Sequence, residues 1–375
     1  MNKLLSPFYP FLQKARFAKF IMLFNKAKKH PLEENKILMF TTARGKLGGN
    51  LAAIKKYIEE NEIDCKVNSF TSVDMPDEAT VAYEMATSRF ILVDDFEPLV
   101  YVLKLRENQH LVQVWHAMGA FKKFGYSRKS AEKNSLTHKN YTEAIVSSPE
   151  IAKIYAEAFS IDESRIKPVG VPRTDLLFDE AYRKKTVKRL YEKQPKLKGK
   201  KICLFAPTFR GNNVNDAHYP SAFMNVEKLA DALGREWAVI IKYHPFIKNI
   251  PDIPETVADR VFDFGDEREI NDILFITDVL VTDYSSVIFE NAILNNPSVL
   301  YAPDLTEYNG ERGFYFDYDA YSCGQVVEKQ EQLAEAVKNA ENHTDKLERF
   351  KKRFVSCCDG GSSRRFVEEI LGKKA

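Results

Sequence analysis

Residues Val279 to Asp304, VLVTDYSSVIFENAILNNPSVLYAPD, constrain the fold more than any other stretch. An apolar run, a short polar turn, a helix-period segment and a second apolar run follow one another with almost no spare chain. A parallel β-α-β unit accommodates that order, because parallel strands need a crossover and the helix supplies it. Thr282, Asp283, Ser285 and Ser286 occupy the turn. Hydroxyls and unpaired amides there meet the positive end of a helix dipole, which suits a phosphate. Simple capping is the competing reading, since Ser and Asp are preferred caps.

The same alternation runs along the chain. KILMFTT (36–42), DCKVNSF (64–70), FILVDD (90–95), HLVQVWH (110–116), EAIVSS (143–148) and RIKPVGV (165–171) are strand candidates. A glycine loop at 43–50 and helical stretches at 51–60, 80–87 and 149–159 separate them. The charged stretch 179–201 reads as a connector. Alternation then restarts with KICLFAP (201–207), WAVIIKYHP (237–245), RVFDFG (260–265), DVLVTD (278–283) and PSVLYA (297–302). Helical pieces fall at 221–235, 268–276, 286–295 and 330–342. The expectation is an α/β chain of two doubly wound, Rossmann-like domains facing a central cleft, with ligands beyond the carboxyl ends of the strands. The boundaries expected are a basic segment at 1–30, a first domain at 31–180, a second at 181–355, and a helix at 356–375 packing back on the first domain.

A chain of 375 residues is long enough for two such cores. A net charge of +2 gives no push toward nucleic acid. The five cysteines have neither disulfide-framework nor zinc spacing, which points to a reducing compartment. Residues 1–29 carry Lys3, Lys14, Arg16, Lys19, Lys26, Lys28 and Lys29 without an Asp or Glu, interleaved with Phe8, Phe11, Phe17, Phe20 and Phe24. No apolar run there approaches the roughly 20 residues of a bilayer span. Basic and aromatic residues mixed in this way suit the surface of an anionic membrane. A helix packed on the first domain with solvated lysines is the bland alternative.

The unusual polar residues cluster just after strand candidates. His116 ends QVWH and is placed to deprotonate a hydroxyl, with Lys122 and Lys123 near enough in sequence to attract phosphate. Thr208 and Arg210 follow the first strand of the second half, and Arg210 offers a planar fork for phosphate. His244 ends KYHP and could donate to a diphosphate. Glu290 lies about one turn inside the helix after Ser286, within reach of ribose hydroxyls or simply solvated. Arg312 and Gly313 in YNGERGFYFDY form an aromatic-rich loop that could close over a ligand. Each also has a structural reading, as packed histidine, surface arginine, cap or ordinary loop. No cofactor is required by the pattern; Asp317-x-Asp319 is a weak candidate for a divalent cation, and no metal ligand set is assigned.

Taken together, VWHAMGAFKKFG, APTFRG, KYHP, TDYSSVIFENA and ERGFYFDY, in this order, resemble the CDP-glycerol glycerophosphotransferase family of teichoic acid primases and polymerases. The resemblance spans roughly residues 30–370. It implies a GT-B fold and an EC 2.7.8-type transfer of glycerol phosphate from CDP-glycerol to a hydroxyl of a lipid-linked saccharide or polyol-phosphate acceptor, with release of CMP. His116 matches the family's proposed base, and His244 the histidine near the donor diphosphate. Ser285 and Ser286 match the phosphate-binding turn, Thr208 and Arg210 the loop after the first donor-domain strand, and Arg312 and Gly313 the closing loop. A peripheral place on the cytoplasmic face of the bacterial membrane is implied as well, and a homo-oligomer stays open. One departure stands out. The family form W-H-G-T-P-x-K is here Trp115-His116-Ala117-Met118-Gly119-Ala120-Phe121-Lys122, which leaves acceptor and alditol identity open. CDP-ribitol is the alternative donor. A GT-B nucleotide-sugar glycosyltransferase and a non-enzymatic membrane-bound scaffold are the rival readings.

Overall fold

The computed structural model describes residues 7–211, 215–248, 250–342 and 344–374. Lys3 of the basic segment lies outside them. The chain divides into two compact units. One ends at Asp175 and resumes at Ser356, and the other runs Leu176–Val355.

The first unit is built on a six-stranded parallel sheet. Its strands are β1 (Glu33–Phe40), β2 (Lys66–Phe70), β3 (Ser88–Val93), β4 (His110–Gln113), β5 (Glu143–Ile145) and β6 (Ile166–Lys167), in the order β2-β1-β3-β4-β5-β6. The second unit repeats the theme with β7 (Lys201–Phe205), β8 (Trp237–Ile241), β9 (Val261–Asp263), β10 (Val279–Thr282), β11 (Ser298–Tyr301) and β12 (Gln325–Val327), in the order β12-β11-β10-β7-β8-β9. Central strands such as β8 and β10 are buried along their whole length. Helices cover both faces of such a sheet, so its strands read as unbroken apolar runs. Ile37, Met39, Leu92 and Val112 of the first sheet meet Phe366 and Val367, which return from the C-terminal segment.

Each strand order reverses direction once, between β1 and β3 in the first sheet and between β7 and β10 in the second. At such a switch point the two connections leave in opposite directions and open a crevice at the carboxyl ends. The loops after β7 and β10 hold Thr208, Arg210, Asp283, Ser285 and Ser286, while His116 follows β4 and His244 follows β8.

Three expectations are corrected. The loop expected at YNGER is a helix, Leu305–Arg312, which Gly313 ends at a φ of 72°. A helix at Asp345–Phe354 was not anticipated, although Leu347, Phe350 and Phe354 fall on one buried face. The edge strand β12 was missed as well. Before β1, the helices Tyr9–Arg16 and Ala18–Ala27 carry the basic residues, and Phe20 and Phe24 are buried. Among the described residues no helix is long and apolar enough to cross a membrane.

Candidate active site

In the first unit, β4 ends at Gln113 and the chain turns sharply. Trp115 takes a left-handed φ of 49°, a costly conformation for a tryptophan. The surroundings hold it there. Gln113 Oε1 accepts from the Trp115 amide at 2.8 Å, while Asn50 Nδ2 donates to the carbonyls of Val114 and Trp115 at 2.7 and 2.9 Å. The guanidinium of Arg173 donates to the His116 carbonyl. The result is a His116 ring stacked on Trp115, with centroids 4.4 Å apart.

His116 Nδ1 faces the loop after β3. The Asp94 carbonyl lies 3.2 Å from it and Asp95 Oδ2 3.3 Å. Nδ1 is therefore the protonated nitrogen, which leaves Nε2 with its lone pair and no hydrogen-bond partner among the described residues. That is the arrangement of a histidine base oriented by a carboxylate. The buried amide of Gln113 also donates to the Asp95 carbonyl at 3.0 Å, so one side chain fixes both members of the pair.

Two further acids crowd this loop. Burial pushes the Asp94 carboxyl up, and Arg44 at 3.5 Å partly offsets it. Burial pushes Glu97 up to about 7, although it accepts from the Thr42 amide at 2.6 Å and the Thr42 hydroxyl at 2.8 Å. Lys122 and Lys123 are half-buried in the segment after His116. The altered motif has a packing reason. Met118 is buried with its sulfur 3.7 Å from Cys358 Sγ, and Tyr155 donates to the carbonyls of Ala117 and Gly119, both at 3.1 Å.

In the second unit the loops after β7 and β10 meet at Asp283. Its Oδ1 accepts from the amides of Thr208 at 2.7 Å and Tyr284 at 2.6 Å, and Oδ2 accepts from Arg210 at 2.9 Å. Arg210 also forms a two-pronged pair with Asp304, at 2.6 and 2.8 Å, and its guanidinium carbon lies 5.0 Å from the rings of both Tyr284 and Tyr308. The expected free phosphate fork is thus corrected. Arg210 is 9% exposed and occupied by two aspartates, so it ties three loops together. Thr282 and Asp283 are likewise engaged internally, and the Thr282 hydroxyl donates to the Ala206 carbonyl at 2.6 Å.

What is left for a ligand is narrower. Ser286 occupies the cap position of the helix Val287–Ile293 without making the side-chain cap bond. The competing capping reading therefore does not account for it. Ser285 makes only a long 3.4 Å contact to the Val287 amide, and both serines are half-buried. The Thr208 hydroxyl is buried with no hydrogen-bond partner among the described residues. Glu290 is 2% exposed, which excludes the solvated alternative. Arg312 donates to the Gly211 carbonyl and so reaches the same loop as Thr208, from the end of a helix.

His244 stands between Phe209 and Phe246, with ring centroids 4.8 and 4.6 Å away. Its Nδ1 accepts from the Phe246 amide at 3.2 Å, which places the proton on Nε2 and makes that nitrogen a donor. His116 and His244 therefore carry opposite tautomers, one suited to accept a proton and one to donate a hydrogen bond. Asp319 of the Asp317-x-Asp319 candidate is exposed and lies 3.8 Å from Lys346 Nζ.

The family model described as CDP-glycerol:poly(glycerophosphate) glycerophosphotransferase matches residues 22–372. The chain is 38% identical to a teichoic acid poly(ribitol-phosphate) polymerase of Bacillus spizizenii over 96% of its own length and 60% of the relative's. It is also 38% identical to the teichoic acid ribitol-phosphate polymerase TarK of Staphylococcus aureus, covering 94% of this chain and 71% of that one. Among solved structures, the wall teichoic acid polymerase TagF superposes with a TM-score of 0.76 at 20% identity, over 97% of both chains. That likeness puts the fold in the GT-B class.

Proposed function

The chain belongs to the CDP-glycerol:poly(glycerophosphate) glycerophosphotransferase family, and from that membership we propose that it transfers an alditol phosphate from a CDP-alditol to a hydroxyl of a lipid-linked acceptor in teichoic acid synthesis. The single observation that carries the chemistry is the oriented His116, with Nδ1 against Asp95 and Nε2 open. Nε2 takes the proton of the acceptor hydroxyl. The oxygen forms a bond to the phosphorus bearing the alditol, the bond to the bridging oxygen breaks, and CMP leaves. Phosphoryl transfer of this kind needs positioning and charge stabilisation more than covalent help.

His244 Nε2–H and the hydroxyls of Thr208, Ser285 and Ser286 are the donors proposed for the diphosphate, with Lys122 and Lys123 adding positive charge. Arg210, Thr282 and Asp283 hold that loop set in shape, and Arg312 and Gly313 anchor its outer edge. Glycerol is the alditol named by the family model. Ribitol is favoured by a specific observation, the 38% identity to two ribitol-phosphate polymerases. Offering CDP-glycerol and CDP-ribitol together with the acceptor and weighing the product separates them.

Residues 1–30 form the proposed contact with the cytoplasmic membrane surface. Phe8, Phe11, Leu12 and Met22 are exposed beside the lysines, which supports that reading.

A further inference from the structure

At the amino ends of β4, β5 and β6, the edge of the first sheet opposite to His116, lies a groove of about 510 Å³. Lys14, Lys104, Arg106, Lys139 and Arg165 line it, against one carboxylate, Glu107. None of these five cations has a carboxylate within ion-pair distance among the described residues. Their contacts are to carbonyls instead. Arg106 donates to the His30 carbonyl at 2.6 Å, Arg165 to that of Tyr141 at 3.2 Å, and Lys139 to that of Lys133 at 3.0 Å. Such bonds fix the side chains in place without neutralising them. Arg106 Nε is buried with no hydrogen-bond partner among the described residues. Lys28, which donates to the Lys104 carbonyl at 2.9 Å, is pushed down by burial and then by the charges of Arg106 and Lys104. The groove therefore holds five cations against one carboxylate, a local excess of positive charge that suits an anion.

One wall is the helix Tyr9–Arg16. Gln13 docks it on the loop beyond, donating to Ser135 Oγ at 3.3 Å and accepting from the Leu136 amide at 2.8 Å. Lys14 turns toward the groove, while Phe8, Phe11 and Leu12 share an outer face and are 61%, 70% and 47% exposed. Unbalanced cations beside an unpartnered apolar face match an anionic amphiphile better than a small anion.

We propose that this groove binds the phosphate headgroup of an anionic membrane lipid, with the acyl chains along Phe8, Phe11 and Leu12. The proposal rests on the membrane-surface reading of residues 1–30 and adds the site and the lipid class to it. Each basic side chain near an anionic surface is worth roughly fivefold in partitioning.

The test is flotation of the full chain with vesicles of phosphatidylcholine, alone or mixed with phosphatidylglycerol. The quadruple variant Lys104→Gln/Arg106→Gln/Lys139→Gln/Arg165→Gln, checked for an unchanged melting curve, is expected to lose on the order of 600-fold in partitioning to the mixed vesicles. The control Lys184→Gln/Lys185→Gln/Lys196→Gln/Lys198→Gln, equal in charge but on the second unit, is expected to bind nearly as the parent does. Equal losses in both would make the effect one of net charge and overturn the groove. Full binding by the groove variant, with loss in Phe8→Ser/Phe11→Ser, would overturn the groove and leave the membrane-surface reading standing. A parent chain that ignores phosphatidylglycerol overturns both. Displacement from vesicles by soluble glycerol phosphate at matched phosphate concentration would assign the groove to a small anion and overturn the lipid.

Discussion

Asp95 Oδ2 stands 3.3 Å from His116 Nδ1, and the Gln113 amide, which donates to the Asp95 carbonyl, also accepts from the backbone just before that histidine. A carboxylate in this place selects the tautomer of the base and stabilises the imidazolium that forms once it has taken a proton. Asp95→Asn is expected to lower kcat by on the order of 10² to 10⁴ while the KM for the CDP-alditol stays within a few fold. Steady-state kinetics check this. A parallel rise in KM would assign Asp95 to donor binding instead.

Arg210 is paired with Asp283 and Asp304 and buried among aromatic rings. Removing one partner of a buried ion pair leaves an uncompensated charge, at a cost of about 3–5 kcal/mol. Arg210→Met is expected to lower the melting temperature by roughly 10 °C. Adding Asp283→Asn and Asp304→Asn should recover part of that loss, because the stranded carboxylates go with it. Calorimetry of the parent and the two variants reads the result.

His138 is buried between Tyr101 and Tyr141, both within hydrogen-bond reach of Nδ1, and burial depresses it to about 3. The unfolded chain takes up a proton near the ordinary value of 6.5 that the folded chain refuses until about pH 3. Stability from this group is complete above pH 6.5 and drains as pH falls through that window, by on the order of 5 kcal/mol in total. Glu97, held up near 7, acts in the opposite direction between about 4.5 and 7. A paired comparison cancels it. His138 has a φ of 63°, which Asn tolerates, so His138→Asn is the substitution of choice. Urea titrations at pH 7 and pH 4.5 should show a smaller acid loss in the variant than in the parent.

Gly170 sits where the returning C-terminal segment packs. Its φ is 92°, and a Cβ there would lie 2.2 Å from the Cys357 carbonyl and 2.4 Å from Ser362 Oγ. Asp175 meanwhile accepts from the amides of Ser362 and Ser363 at 2.9 and 2.7 Å. Gly170→Ala is expected to loosen residues 356–363 at a cost of roughly 2 kcal/mol or more. Limited proteolysis should then cut between Val355 and Ser363 in the variant and spare the parent.

Much of the fold was legible because parallel strands buried on both faces leave continuous apolar runs. β7, β8, β10 and β11 were read to within four residues at their ends. The reading overran at the carboxyl ends, since Val114 and Tyr243 are buried after leaving the sheet and so look like strand. Three-residue β12 carries too short an apolar run to stand out. The helix Asp345–Phe354 had a signal, the spacing of Leu347, Phe350 and Phe354, masked by the charges around it.

The histidines were legible because both follow strands. Their tautomers were not, since these depend on the Asp95 carboxylate in one case and the Phe246 amide in the other. Arg210 was misread for a related reason. Its fork looks available until Asp283 and Asp304, distant in sequence, are brought to it by β10 and β11. Among the ligand-binding candidates, the half-buried serines and the Thr208 hydroxyl, which has no hydrogen-bond partner among the described residues, now stand ahead of the arginine.

The most direct measurement pairs donor binding with product analysis. The parent chain and His116→Ala are each given a CDP-alditol and a lipid-linked acceptor, and the acceptor and released nucleotide are weighed. The parent should add the mass of one or more alditol phosphates and release an equal number of CMP molecules. His116→Ala should bind the donor with unchanged affinity and turn over on the order of 10² to 10⁴ more slowly. Full turnover by His116→Ala, or release of UDP or GDP from a nucleotide sugar in place of CMP, would contradict the account.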